Sequence, residues 1–449
     1  MRVLLFHGYM LRGTGSNIYN VNLARALARL GHEVHLLCQD REMKIEGVEI
    51  HNPDIHGLLP VYVKDPYEGF EVKAFPELTE AELDRYVDAN VAAVRAVSAR
   101  VGGFDAALAN HLVMGPAILS RAGVGPFAAK IHGSALEYTV KPHPRFLPFA
   151  EEGMRAAAGV LVGSGHTARS LWDALPEVSG LREKTRLGPP GVDVEEFRAA
   201  GRETDGGPLV VFVGKLIVSK GVDLLLTAWP LVRAAHPGAQ LRIVGYGEYE
   251  DGLRRLLAAL DRGDLDDARE VARLGRGLEG GEAEPLAILS AFLADPPSGY
   301  LEAAEGVADS IELVGRLEHE EIAALLPRAE ALVMPSTFPE AFGMVAVEAA
   351  ACGALPVSAG HSGMLEVSRQ LAAALPEEVG RLVSFPVGPG AVEAIADRVG
   401  SWLGLPEGER ESAREALVET VGRLWSWEGV ARGVLAASAG ELDRLPRPA

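Results

Sequence analysis

The sequence predicts an α/β protein built from two Rossmann-like, doubly wound domains in series. Three observations predict it. Short apolar runs alternate with amphipathic segments almost throughout, which is the pattern of βαβ units. The 449 residues exceed what one ordinary core accommodates, so two domains of about 200 residues each are expected. Across 198–207 hydrophobicity drops and glycine rises (Arg-Ala-Ala-Gly-Arg-Glu-Thr-Asp-Gly-Gly), which marks a linker. The domains are therefore expected over 1–200 and 208–426.

In the first half, 3–6, 33–37, 105–109, 127–131 and 160–162 read as strands. Between them 17–30 and 79–101 read as helices. The second helix opens with a capping box, Thr79 with Glu82, and a staple between Leu78 and Leu83. A second βα series follows, with strands expected at 209–213, 241–244, 311–314, 331–334 and 354–357. Residues 263–310 are acidic and Ala/Leu-rich, and read as inserted helices. Asp264-Leu265-Asp266 within them has the spacing of a metal clamp but reads as a solvated helix face. The last segment, 424–445, reads as helix and holds Trp425 and Trp427.

Composition excludes several classes. Hydrophobic content of 48% against 23% charged residues is that of a globular chain, not a disordered one. A net charge of −19 argues against nucleic acid and against general attraction to anionic membranes. Two cysteines, Cys38 and Cys352, do not make a disulfide framework, so a reducing cytoplasm is expected. The run Met1-Arg2-Val3-Leu4-Leu5-Phe6 is too short for a signal core, and no run approaches the ~20 apolar residues of a membrane span. A soluble protein without stable membrane insertion is expected. The best candidate for a membrane-touching face is short, 138–149, with Lys141, Arg145 and several aromatics.

The chemistry gathers at strand ends. Pro339-Glu340-Ala341-Phe342-Gly343-Met344-Val345-Ala346-Val347-Glu348 places two acids around a Phe-Gly turn, between a buried strand and a small-residue helix. The N–H groups of Phe342 to Val345 are then first-turn donors facing whatever the loop encloses. Glu348 lies inside an apolar helix, where a charge needs a partner, and a pair of hydroxyls would serve. An elongated ligand with hydroxyls at both ends and a charged middle fits, and a nucleotide sugar has that shape. The chain holds eight lysines, none after Lys220. Two of them, Lys215 and Lys220, share a glycine-flanked loop before a helix that Ser219 can cap. Such a loop suits a diphosphate, on which charge grows as it leaves.

Four weaker motifs join these. Gly8-Tyr9-Met10-Leu11-Arg12-Gly13-Thr14-Gly15 connects the first strand to the first helix and lets backbone approach a ligand. It lacks the third glycine and the later acid of a dinucleotide fingerprint, so NAD is not expected. His132, in Ile131-His132-Gly133, sits at the carboxyl end of a strand, where open α/β sheets bind ligands. Gly245-Tyr246-Gly247 ends another strand and fits under a base. Leu187-Gly188-Pro189-Pro190-Gly191-Val192-Asp193 is a rigid turn, either lining a cleft or simply connecting. No Gly-x-Ser-x-Gly, Walker loop or Cys/His metal cluster is found.

Taken in order, these motifs resemble the glycogen-synthase-like retaining glycosyltransferases, family 4 of the GT-B fold, and a closing Ser426-Trp427-Glu428 adds to the match. The resemblance covers most of the chain, strongly in the second half and more loosely between residues 50 and 110. It implies two domains facing across a cleft, the N-terminal one for the acceptor and the C-terminal one for the nucleotide sugar, with 427–449 crossing back onto the first. It implies that Gly13 and Gly15 lie at the donor phosphates, that Lys215 and Lys220 bind the diphosphate and that Gly245 lies near the base. Glu340 with Phe342, Gly343, Met344 and Val345 would hold the sugar, Glu348 the ribose, and His132 would stand beside the reacting carbon. Lys215 replaces the family's usual arginine, which keeps the charge but loses bidentate pairing.

The function expected is metal-independent transfer of a hexosyl group, with retention, from a nucleoside-diphosphate sugar to a hydroxyl of a small soluble acceptor or saccharide. UDP is favoured as the nucleotide, and no cofactor is needed. Two other classes bind the same donor: a GT-B epimerase, which needs no acceptor, and a catalytically idle nucleotide-sugar-binding partner subunit.

Overall fold

The computed structural model describes residues 1–63, 67–199 and 207–448. It divides into two units, Met1–Gly191 with Trp425–Ala449, and Val192–Leu424. The first unit thus ends at Gly191 rather than near residue 200, and most of the expected linker (200–206) lies outside the described residues.

The first unit is built on strands β1 (Arg2–Phe6), β2 (Glu33–Leu37), β3 (Val48–His51), β4 (Leu58–Val61), β5 (Glu71–Ala74), β6 (Ala106–Asn110), β7 (Phe127–Ile131), β8 (Gly159–Val162) and β9 (Thr185–Leu187). Seven of them form one parallel sheet in the order β3-β2-β1-β6-β7-β8-β9, while β4 and β5 pair separately. Side chains alternate along a strand, and both faces of this sheet are covered. Leu4 and Phe6 of β1 enter one core, with Phe75, Leu83 and Phe127. Val3 and Leu5 enter the other, with Leu23, Leu27 and Trp427.

The helix Glu80–Val101 starts as its sequence predicts. Thr79 accepts from the Glu82 amide, and the Glu82 carboxylate takes the Thr79 amide. Leu78 and Leu83 are buried in the same core. At the other end of the chain, helix 407–424 stops before Trp425, and a new helix, Trp427–Ser438, begins on a Ser426 cap. It packs on the helix Gly15–Arg29 and on β6, β7 and β8. Trp427 meets the Tyr19 ring edge-on at 5.5 Å, and Ser438 Oγ donates to the Ala107 carbonyl. Gly191 is required where this helix lands, since a Cβ there would lie 2.7 Å from the Trp427 ring.

The second unit holds β10 (Leu209–Val213), β11 (Gln240–Val244), β12 (Ile311–Gly315), β13 (Ala331–Met334), β14 (Leu355–Ala359) and β15 (Ser384–Phe385). Its parallel sheet runs β12-β11-β10-β13-β14-β15. Strand order reverses direction at β10, as it does at β1 in the first unit. In such sheets the crevice outside the carboxyl ends at the reversal is where ligands bind. Residues 263–310 form helices Leu265–Leu274, Ala287–Ala294 and Tyr300–Ala304 with short 3-10 turns. Asp264 is the cap of the first, accepting from the Asp267 amide.

Candidate functional site: strand ends of the two sheets

In the second unit the loop after β10 lies on the ends of its neighbours. Gly214 N donates to Val244 O, and Leu216 N to Tyr246 O at 2.8 Å. The backbones touch there, for a Cβ on Gly245 would stand 1.8 Å from the Gly214 carbonyl oxygen. A 3-10 turn, Val218–Lys220, follows, and Gly221 adopts a left-handed conformation (φ 66°). A side chain at Gly221 would collide with the Pro335 carbonyl oxygen at 2.1 Å, so glycine is what lets this loop rest on the end of β13. The Ser219 side chain does not cap the helix Val222–Ala235, contrary to expectation. Gly221 is the cap position, and the Ser219 carbonyl instead receives Thr337 N at 2.9 Å and Ser336 Oγ at 3.1 Å.

This docking brings Lys220 onto Glu340. The ammonium bonds the carboxylate, which also accepts from Ser336 Oγ at 2.8 Å. Burial alone would raise the Glu340 carboxyl, but Lys220, Ser336 and His361 outweigh it and hold it below its ordinary value. Lys215 is placed differently, with its Nζ 5.9 Å from the centre of the Tyr246 ring, which Arg316 also faces. The loop thus sets its two lysines in different surroundings, Lys220 on Glu340 and Lys215 near the Tyr246 ring.

A supporting set was missed in the sequence. His361 Nε2 donates to Ser336 O at 2.8 Å, Ser362 Oγ lies 3.0 Å from His361 Nδ1, and Glu340 N donates to Ser362 Oγ at 2.9 Å. Gly363 N donates to Glu340 O, and a Cβ at Gly363 would stand 2.2 Å from Ala341 O. These three residues follow β14 at its carboxyl end. The position that singled out His132 would have found them.

The helix Met344–Ala351 starts at Gly343 (φ 101°) with no side-chain cap. Met344 and Val345 therefore offer first-turn amides, as expected. Phe342 is buried beneath the turn. Glu348, 6% exposed, is pushed up to about 7 by burial and then by the negative charge of Glu196. No hydrogen-bond partner meets it among the described residues.

In the first unit, Gly13 (φ 92°) precedes a helix that begins at Gly15, two residues before the expected start, again without a side-chain cap. At the ends of β1, β6 and β7 lies a buried polar network that sequence reasoning reached only at His132. His132 Nε2 is 2.9 Å from Asn110 Oδ1, and Asn110 Nδ2 donates to Asn20 Oδ1 at 2.7 Å. His7, Asn17 and Asn20 complete it. His132 also meets the edge of Tyr19 at 5.0 Å and the His111 ring at 4.9 Å. Lys130, the one lysine buried among the described residues, bonds the Gly188 carbonyl and lies over Tyr19. Burial brings its ammonium down to about 7. The Gly188-Pro189-Pro190-Gly191 turn is thereby anchored from beneath.

Two other sequence readings gain detail. In the segment 138–149, exposed Arg145 gives one nitrogen to the carbonyls of Phe75, Pro76 and Leu78, and exposed Lys141 pairs with Glu137. And although no metal cluster is visible in the sequence, the β2/β3 register gathers His35, Glu49 and His51 within 4.8 Å. Their atoms already bond one another, Glu33 and Arg100. Among the described residues, no helix is long and apolar enough to cross a membrane.

Two family descriptions divide the chain. Residues 13–196 match Glycosyltransferase Family 4, and residues 193–264 with 300–418 match Glycosyl transferases group 1. The glycogen synthase of Mycobacterium tuberculosis is 29% identical over 285 residues, 62% of this chain and 55% of that protein. The chain thus spans little more than half the length of that relative. The D-inositol 3-phosphate glycosyltransferase of Frankia alni is 29% identical over 94% of this chain and 93% of its own. Among solved structures, the sucrose-phosphate synthase of Thermosynechococcus elongatus superposes with a TM-score of 0.59 at 20% identity, covering 99% of this chain and 98% of that one. The Anabaena protein HepE, solved with UDP and glucose, gives 0.60 at 15% identity, covering 99% and 100%. The two Rossmann-like units share the GT-B fold of these structures. The chain belongs to the GT-B glycosyltransferases of the family 4 type.

Proposed function

We propose that the protein transfers a hexosyl group from a nucleoside-diphosphate sugar to a hydroxyl of a small soluble acceptor, with retention at the anomeric carbon. The observation that carries this is the Lys220–Glu340 pair beside the uncapped start of the helix Met344–Ala351. A diphosphate is the ligand for an ammonium next to free amides. When it arrives it takes Lys220, and Glu340 is released to accept hydroxyls of the sugar. Lys215 adds a second positive charge to the leaving group, and Gly13 and Gly15 open the first unit's helix to phosphate. Gly245 lets backbone approach the base. Glu348, with its carboxyl near neutrality, binds the ribose hydroxyls. UDP is the proposed nucleotide, and cationic side chains and helix amides serve in place of a metal. The second unit holds the donor and the first the acceptor, with His132 the first unit's contact to the reacting groups.

Glu340→Ala and Lys220→Ala should each lower transfer at least about a thousandfold while leaving the unfolding transition in place. Full activity in either would refute the assignment. Activity should survive EDTA, and the product should keep the donor's anomeric configuration by NMR. An inverted product, or activity lost with EDTA and restored by a divalent ion, would contradict the mechanism.

A further inference from the structure

We propose that Asn110 is a positioning residue, and that the chain Asn110–Asn20–His7 holds the His132 ring as the tautomer protonated on Nε2, with Nδ1 kept as the lone pair that receives a substrate hydroxyl. The role given to Nδ1 rests on the reading of His132 above; the tautomer does not.

The direction of each hydrogen bond decides the tautomer. A carbonyl oxygen only accepts, so an amide group facing one must present its nitrogen. Three carbonyls orient the three amides. Phe6 O receives Asn110 Nδ2 at 3.2 Å, Ser16 O receives Asn20 Nδ2 at 2.8 Å, and Arg12 O receives Asn17 Nδ2. With its nitrogen committed, Asn110 turns Oδ1 toward His132, 2.9 Å from Nε2, and that nitrogen must carry the proton. The neighbouring link agrees. Asn110 Nδ2 meets Asn20 Oδ1 at 2.7 Å, the atom that Ser16 had already fixed as an acceptor.

His7 closes the chain in the same sense. Its Nδ1 accepts from Asn20 Nδ2 at 3.0 Å, and its Nε2 faces only acceptors, Asn17 Oδ1 at 2.9 Å and Met10 O at 3.1 Å. Reversing one link would set two lone pairs or two N–H groups against each other in a buried site. Asn17 stands in the first turn after the glycine loop, so the same chain ties the His132 ring to that loop.

His132 Nδ1 meets no hydrogen-bonding group among the described residues. The imidazolium is disfavoured, first by burial and then by His111, Lys130 and His7. A neutral ring with Nδ1 bare accepts a hydroxyl proton and donates none there. It therefore distinguishes a hydroxyl from an ether or carbonyl oxygen at that point.

The test is the tautomer itself. The full-length protein, labelled with 15N-histidine, is examined through correlations from the carbon-bound ring protons to the ring nitrogens, with His132→Gln identifying the signals. One protonated Nε2 and one bare Nδ1, unchanged across neutral pH, are expected. A protonated Nδ1, or two averaged nitrogens, would overturn the proposal, and this needs no variant of Asn110 to fold. Asn110→Leu should average the two signals and lower kcat about tenfold or more, with little change in KM for the nucleotide sugar. Asn110→Asp, which keeps an acceptor opposite Nε2 and adds charge, should restore the tautomer and move the acid limb of the pH–rate profile upward. Averaged signals with an unchanged kcat in Asn110→Leu would contradict the positioning role. Full transfer by His132→Ala would instead remove the functional reading of His132 and leave the tautomer standing on its spectrum.

Discussion

At the ends of β1, β6 and β7 the first unit gathers neutral groups: three amides and two imidazoles whose bonds run in one direction. At the ends of β10, β13 and β14 the second unit gathers charge, an ammonium on a carboxylate with Ser336 and His361 around them. The sheets beneath are alike, each reversing strand order at its first strand. The contents differ in what they permit. Neutral amides anchored on backbone carbonyls are costly to misalign and cheap to bury, so that network is preset. An ion pair between half-buried groups can exchange partners, and a diphosphate is an anion able to displace Glu340 from Lys220. One unit is built to orient, the other to be rearranged by its ligand.

The largest effect on stability should come from the hinge of the exchangeable side. Gly221→Ala puts a Cβ 2.1 Å from the Pro335 carbonyl oxygen in a left-handed backbone. We expect a loss of about 3 kcal/mol or more by denaturant unfolding, together with weakened nucleotide binding. Unchanged stability would mean that the loop does not rest on β13 as described.

Glu348 should give an intermediate effect whose sign depends on pH. Its folded value, about 7, lies above the ordinary 4.5, so the folded state favours the protonated form. Its contribution is fully present below about 4.5 and is lost as pH rises through 7. Glu348→Gln should therefore stabilise by about 1–3 kcal/mol at pH 8 and by little at pH 5, while weakening binding of a ribose-bearing ligand. Equal stabilisation at both values would show that the carboxyl is not buried uncompensated. The smallest effect belongs to Thr79→Ala in the first unit. It removes a cap worth about 1 kcal/mol and should leave nucleotide affinity untouched.

Legibility in the sequence followed the same divide. Ten strands of the two central sheets are apolar runs at regular spacing and could be placed within a residue or two, as could the Thr79 cap. Strands β3, β4, β5, β9 and β15 were missed because they are two to four residues long, and β3 and β5 carry exposed polar positions, Glu49 and Glu71. Glu340, Glu348 and Lys220 stood out as charges amid apolar or glycine-rich sequence. The amide network did not, since Asn17, Asn20 and Asn110 are ordinary in sequence and Asn110 reaches the other two only because β6 pairs with β1. Ser219 misled because a serine before a helix is a good cap, whereas here Gly221 ends the turn and the serine carbonyl is claimed by Ser336 and Thr337, just past β13.

The most direct test of the exchange is calorimetric titration of the full chain with UDP, GDP and ADP, in the wild type and in Lys220→Ala. Selective binding of one of them, UDP on the present reading, should weaken about a hundredfold when Lys220 is removed, since a charged hydrogen bond to phosphate is lost. Binding that is unchanged in Lys220→Ala, or no binding of any of the three to the wild type, would contradict the account of the second unit's site.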